Sequence, residues 1–133
     1  MGVNALFASA ISGIRQRLDG ARFTVFDSGS GMRNEEFHVD SRGAVEIRFL
    51  GYRTGRRIYL PENLHQMQFA AHFGKWGGRL NSGVRAILES TAVLDGSGGD
   101  SFTDMYPGNR IKMVAGCKEV ALQAGRPLIL LPQ

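Results

Sequence analysis

The sequence predicts an α+β fold in a single domain at residues 1–133: an N-terminal helix, a four-stranded antiparallel meander, then two or three helices. Three observations predict this class. Apolar residues recur at helical spacing near the start, and four short strand-like segments separated by turns follow. A proline then stands where another helix can begin. The chain is long enough to bury a sizeable core, and no boundary stronger than a glycine-rich loop at residues 95–104 divides it.

The first predicted element is a helix between Asn4, which can cap it, and Gly20, which ends it. One face of this helix carries apolar side chains at spacings of 4, 3 and 4 residues. They are Phe7, Ile11, Ile14 and Leu18. We expect this face to cover the core, as the apolar stripe of an amphipathic helix does.

Four strands are predicted next, because the segments alternate apolar and polar residues or are rich in aromatic and β-branched side chains. Glycine-containing turns separate them. The strands cover residues 22–27, 36–40, 45–52 and 57–60. Since short turns join antiparallel neighbours, four such strands in succession predict a meander.

The second half of the chain predicts three helices and an apolar tail. The first helix follows Pro61 and covers residues 62–73, and the next begins at a cap formed by Asn81 or Ser82. The tail can add an edge strand. The last helix and the tail cover residues 110–124 and 128–131.

Motifs for catalysis and cofactor binding are lacking, so we predict a protein that is not an enzyme and holds no cofactor. No P-loop and no Gly-x-Ser-x-Gly sequence occurs. The single cysteine, Cys117, falls on the apolar face of its helix, which favours an inert buried thiol. His65 and His72 are seven residues apart on one helical face, whereas a structural zinc site needs four ligands. No metal site is therefore expected.

Positive charge is unevenly distributed along this moderately basic chain. The formal net charge is +4, and residues 1–61 hold nine arginines, no lysine and six acids. Arginine pairs with phosphate bidentately and stacks on rings, which favours a polyanionic partner. No apolar run reaches the roughly 20 residues of a membrane span, and no secretory signal is present, so we expect a cytoplasmic protein without membrane contact.

Basic and aromatic side chains concentrate in residues 44–60, the predicted hairpin of the third and fourth strands. No acid lies between Glu46 and Glu62. Positive charge for phosphates beside flat rings for bases is typical of single-stranded nucleic-acid binding. The candidate phosphate-binding residues are Arg48, Arg53, Arg56 and Arg57, and the candidate stacking rings are Phe49, Tyr52 and Tyr59.

The third strand leaves two alternatives to this function open. Ile47 and Phe49 are expected to face inward, whereas Leu50 and Tyr52 share the other face with Arg48. A solvent face this apolar favours a partner surface. The alternatives are an ordinary solvated hairpin, in which another element covers Leu50 and Tyr52, and contact with a protein.

Residues 45–67 resemble the transcriptional coactivator p15 and Whirly superfamily of single-stranded DNA-binding domains. The matching sequences are VEIR, RRIYL and PENL, at residues 45–48, 56–60 and 61–64. The resemblance implies a four-stranded antiparallel sheet followed by a helix, dimerisation through helices, and single strands lying across the sheets. It also implies that four arginines lie near the strand-binding face: Arg48, Arg53, Arg56 and Arg57.

The predicted function is a small non-enzymatic protein that binds single-stranded DNA or RNA and forms a homo-oligomer. An alternative is a structural or assembly subunit of a phage or plasmid type, in which the apolar tail and the glycine-rich loops serve protein contacts. A third possibility is an inhibitor that docks on the nucleic-acid machinery of another protein.

Overall fold

The computed structural model describes residues 2–96 and 108–131, which form an α+β fold, so the predicted class is confirmed. The first half holds α1 (Gly2–Arg17), β1 (Phe23–Asp27), β2 (Met32–Asp40) and β3 (Gly43–Gly51). The second half holds α2 (Leu64–Ala71), a 3-10 turn (Gly74–Trp76), α3 (Gly77–Leu80), α4 (Ser82–Glu89), β4 (Val93–Asp95), α5 (Gly108–Gln123) and β5 (Leu128–Leu130). Of the predicted loop at residues 95–104, residues 97–104 lie outside the described residues.

The main sheet is mixed and has three strands in the order β1, β3, β2, so the predicted four-stranded antiparallel meander is wrong. β2 and β3 form an antiparallel hairpin, but β1 runs parallel to β3 on its other side. The reason lies in β3, which buries Ile47 on one face and Leu50 on the other. A strand buried on both faces takes the centre of a sheet. The polar β2 takes an edge instead.

A short crossover at residues 28–31 carries the chain from β1 past the end of β3 to β2. A Cβ atom on Gly51 of β3 would lie 2.6 Å from the carbonyl oxygen of Gly29, so only glycine fits at this crossing. Asp27 and Arg33 form an ion pair across the crossover. The sequence alone does not reveal this arrangement, because it depends on contact between residues that are far apart in the chain.

The predicted fourth strand, residues 57–60, is also wrong, because this segment forms consecutive turns. Its backbone groups bond locally: Ile58 N donates to Arg56 O at 2.9 Å, and Leu60 N donates to Arg57 O at 3.2 Å. The segment therefore has no ladder with β3, although its aromatic and β-branched residues favour a strand.

Different helices cover the two faces of the main sheet. α1 covers one face, where its Ile11 shares a hydrophobic cluster with Phe49. The later helices cover the other face near the carboxyl end of β3, where Tyr52 shares a core with Met67 of α2. The part of that second face around Arg48 stays exposed.

Asparagine caps set the starts of α2 and α4. α2 begins after Asn63, not at Pro61, and it ends before residue 73. Asn81 caps α4, as predicted. α5 lies within two residues of its predicted bounds, and β5 pairs in parallel with β4, a strand that was not predicted. Across the described ranges, no helix combines the length and the apolar character needed to cross a membrane.

Candidate nucleic-acid interface

The segment that joins β3 to α2 carries three of the four predicted arginines. We name residues 53–62 the arginine loop. Arg53 N donates to Glu62 O at 2.8 Å, and Leu64 N donates to Arg53 O at 2.9 Å. The loop therefore begins and ends at the same point of the molecule, beside the first residue of α2.

Asn63, which is buried, fixes the middle of the arginine loop. Its Nδ2 donates to the carbonyl oxygens of Gly55 and Arg57, each at 3.2 Å. Its Oδ1 accepts from His65 N at 3.0 Å and so caps α2. The Asn63 side chain thus hydrogen-bonds a backbone N–H in the first turn of α2 and two carbonyl oxygens of the loop.

Asn81, also buried, fixes the end of the loop in the same way. Its Nδ2 donates to Pro61 O at 2.6 Å. Its Oδ1 accepts from Gly83 N at 2.9 Å and from Val84 N at 3.1 Å, which caps α4. Two buried amides therefore hold the loop backbone from the inside, and neither adds charge.

The arginines and the tyrosine of the loop face solvent. Arg53, Arg56 and Arg57 are exposed, and Tyr59 keeps 70% of its surface exposed. Arg53 also donates through Nε to Gly29 O in the crossover, at 3.3 Å. None of the ion pairs within residues 2–96 and 108–131 includes these arginines. Guanidinium groups without an acidic partner are available to an anion.

Arg48 lies apart from the loop, on the exposed part of β3. Five residues of extended strand separate it from Arg53, which corresponds to about 16 Å. It lines a small cleft of about 80 Å³ together with Arg85 of α4 and Glu89. The next register pair on this sheet face is Glu36 and Glu46. The exposed sheet face is therefore mixed in charge, whereas the arginine loop carries three arginines and one acid, Glu62 at its end.

Phe49 and Tyr52, two of the predicted stacking rings, lie in the core. Phe49 is 9% exposed, and its ring centroid is 5.6 Å from that of Phe37. Tyr52 is 5% exposed and meets Phe26 edge-on, with the ring centroids 6.3 Å apart. Burial raises the pKa of Tyr52 well above its usual value. Leu50 is buried too, so the observed arrangement is the one in which another element covers Leu50 and Tyr52.

Three exposed rings form a surface that the sequence reasoning missed. We name Phe69, Phe73 and Trp76 the aromatic patch; they run from α2 into the 3-10 turn. The ring centroids of Phe69 and Phe73 are 5.2 Å apart. The guanidinium of Arg79 lies 4.7 Å from the centroid of Trp76, which is 65% exposed. Lys75 is exposed in the same turn.

A signal for this patch is present in the sequence. Leu64, Met67 and Ala71 follow helical spacing, and all three are buried. Phe69 and Phe73 are also four residues apart, and their rings meet although Phe73 follows the end of α2. A second apolar pair outside the buried stripe indicates an exposed surface with a function of its own.

Among the described residues, the cysteine and the histidines do not form a catalytic or metal-binding cluster. Partial burial raises the pKa of Cys117 to about 11, so this thiol stays protonated near neutral pH. His65 and His72 are both exposed. Within the part of the chain that the structure describes, no three His, Cys, Asp or Glu side chains come together as a metal site would require.

Comparisons with protein-family models, with curated proteins and with solved structures found no match to this chain. The resemblance of residues 45–67 to the p15 and Whirly superfamily therefore stays a prediction.

Proposed function

We propose that this protein binds single-stranded nucleic acid, DNA or RNA, through the arginine loop. One observation carries the proposal: two buried asparagines fix the loop backbone, while three exposed arginines have no acidic partner among the described residues. A fixed backbone lowers the entropy lost when the side chains order around a ligand.

The chemistry is phosphate neutralisation with little reading of sequence. Guanidinium groups bind phosphate oxygens bidentately, and each neutralised phosphate releases counterions, so affinity falls as salt rises. Tyr59 supplies an exposed ring for a base. Single strands are favoured over duplex because a stacked base must be exposed to meet a ring.

The proposed site is smaller than the seven residues that the sequence nominates. Arg53, Arg56, Arg57 and Tyr59 form it, and Arg48 contributes positive charge from its separate cleft beside Arg85. Phe49 and Tyr52 serve the core instead.

The test replaces Arg53, Arg56 and Arg57 together with alanine. Fluorescence anisotropy of labelled oligo-dT and oligo-rU, titrated over a range of salt, measures the affinity. We expect weaker binding to both probes and a log–log salt slope that is smaller by about 2, from three lost phosphate contacts to a single strand.

A matched control removes the same charge at the opposite end of the sheet. The variant Arg17→Ala, Arg22→Ala, Arg42→Ala takes away three exposed arginines before β1 and in the β2–β3 turn. This control variant should keep most of the dependence of oligonucleotide affinity on salt concentration. Equal losses in the two triple variants would indicate attraction by net charge alone and would contradict a site at the loop.

An assembly or protein-interaction subunit is the second candidate, favoured by the surface of the small sheet. Leu94 of β4 and Ile129 of β5 are register partners, and both are exposed. Leu122 and Leu130 are exposed as well. Apolar side chains on a two-stranded sheet favour contact with a second copy. A multimer that resists high salt and takes up no oligonucleotide would favour this candidate over the first.

A further inference from the structure

The aromatic patch is unusual because its rings lie outside both hydrophobic clusters of the described residues. About half or more of the surface of each ring is exposed. Burying a large aromatic side chain is strongly favourable, so three neighbouring rings left in solvent indicate a partner.

The charges around the patch identify the kind of partner. No Asp or Glu occurs from residue 63 to residue 88, whereas Lys75, Arg79 and Arg85 do. Glu119 of α5 reaches the same helix, where its carboxylate accepts from Gln68 Nε2 at 3.2 Å. Arg79 lies over the ring of Trp76. Rings interleaved with cations, and no acid among them, are complementary to a polyanion that also carries flat bases.

One helix, α2, connects the arginine loop to the aromatic patch. Asn63, which holds the loop, also caps α2, and α2 leads directly to Phe73 and Trp76. The eight residues of α2 correspond to about 12 Å of helix. A single strand anchored at the loop therefore needs only a short extension to reach the rings.

We propose that the aromatic patch stacks the bases of the same single-stranded nucleic acid whose phosphates the arginine loop binds; this inference rests on the proposed function. Phe69, Phe73 and Trp76 offer the rings, and Lys75 and Arg79 neutralise nearby phosphates. A single strand fits this surface better than an apolar protein segment does, because a protein segment would leave the cations without a partner.

Trp76 makes the inference directly measurable, since it is the only tryptophan in the chain. Its fluorescence should be quenched on titration with oligo-dT, in step with the anisotropy of the labelled probe. Trp76→Ala should weaken binding by roughly 5- to 150-fold, the usual range for one stacked base. Trp76→Phe keeps a ring and should recover part of the affinity.

Leu80 supplies the matched control, because it follows the patch in the chain and is as exposed as Phe69, at 61% each. Leu80→Ala removes apolar surface but no ring, so the affinity for oligo-dT should not change. Circular dichroism of each variant checks that the helices are retained.

The outcomes separate the inference from the function on which it rests. Binding by anisotropy without quenching, and without a loss in Trp76→Ala, would overturn base stacking here and leave the arginine loop as the site. No binding of either oligonucleotide by the wild-type protein would overturn both. Equal losses in Trp76→Ala and Leu80→Ala, or quenching that depends on protein concentration alone, would overturn stacking and indicate a protein partner or a second copy.

Discussion

The crossover and the arginine loop meet near the carboxyl end of β3, yet they use arginine in opposite ways. Beside the crossover, Arg33 pairs with Asp27 and Glu35 and lies 5.7 Å from the ring centroid of Phe49. In the arginine loop, the three exposed guanidinium groups have no acidic partner within the described ranges. Nearby acids, rather than the arginine itself, therefore decide whether a guanidinium is available to a ligand.

The two segments also differ in how their backbones are held. The crossover is closed by an ion pair between charged side chains. The loop is closed by the neutral amides of Asn63 and Asn81, which satisfy carbonyl oxygens and leave the charge of the loop unchanged. A neutral clamp therefore combines a fixed backbone with a full positive potential, which an aspartate in the same place could not do.

Of the variants in the two segments, Asn63→Ala in the segment next to the arginine loop should lower the free energy of unfolding most. It removes the cap of α2 and leaves the carbonyl oxygens of Gly55 and Arg57 without their donor. We expect the free energy of unfolding to fall by about 2–4 kcal/mol. Urea denaturation measures it.

Two further variants sharpen this result. Asn34→Ala removes an exposed asparagine of β2 and should stay within about 0.5 kcal/mol of wild type. Asn63→Asp keeps an oxygen that caps α2 but loses the donors to the loop, so it separates the two contributions. A wild-type urea midpoint for Asn63→Ala would contradict the clamp.

Gly51→Ala should have the next largest effect, on the crossover side. The new Cβ atom would meet the backbone carbonyl of Gly29 at 2.6 Å, so the crossover has to shift. We expect a loss of about 1–3 kcal/mol in the free energy of unfolding. Gly13→Ala in α1 is the control, because its Cβ meets only an ordinary contact, and it should be neutral or stabilising. Equal stability of the two variants would show that the crossing tolerates a side chain.

The sequence predicts the local elements of the fold but not their pairing. α1, α5 and the strands around β1 and β3 follow from periodicity, which is a property of neighbouring residues. The predicted cap of the first helix is wrong, because α1 begins at Gly2 and Asn4 lies inside it. The pairing of β1 with β3 cannot be predicted in this way, because it depends on which strand is buried on both faces. The segment RRIYL has strand propensity, but the carbonyl oxygen of Arg57 accepts a hydrogen bond from Asn63 Nδ2 and not from a neighbouring strand. Tertiary hydrogen bonds thus override a local preference.

The candidate site is predictable to a similar extent. No acid lies between Glu46 and Glu62, and the three arginines of the loop are exposed without an ion pair among the described residues. Alternation along β3 places Tyr52 on the face opposite Phe49, but it does not say that later helices cover that face. Burial of Tyr52 is a consequence of helix packing, which no local pattern contains.

The smallest predicted effect compares single arginines on the two sides. Arg56→Ala should reduce the salt slope of oligo-dT binding by about 0.7, the value for one phosphate contact to a single strand. Arg33→Ala should leave the slope unchanged, because Asp27 and Glu35 already balance that charge. It should also cost less than about 1 kcal/mol of stability, since the pairs are partly exposed. Anisotropy titrations of both variants over the same salt range measure the difference, and equal slopes would show that acidic partners do not decide which arginines bind.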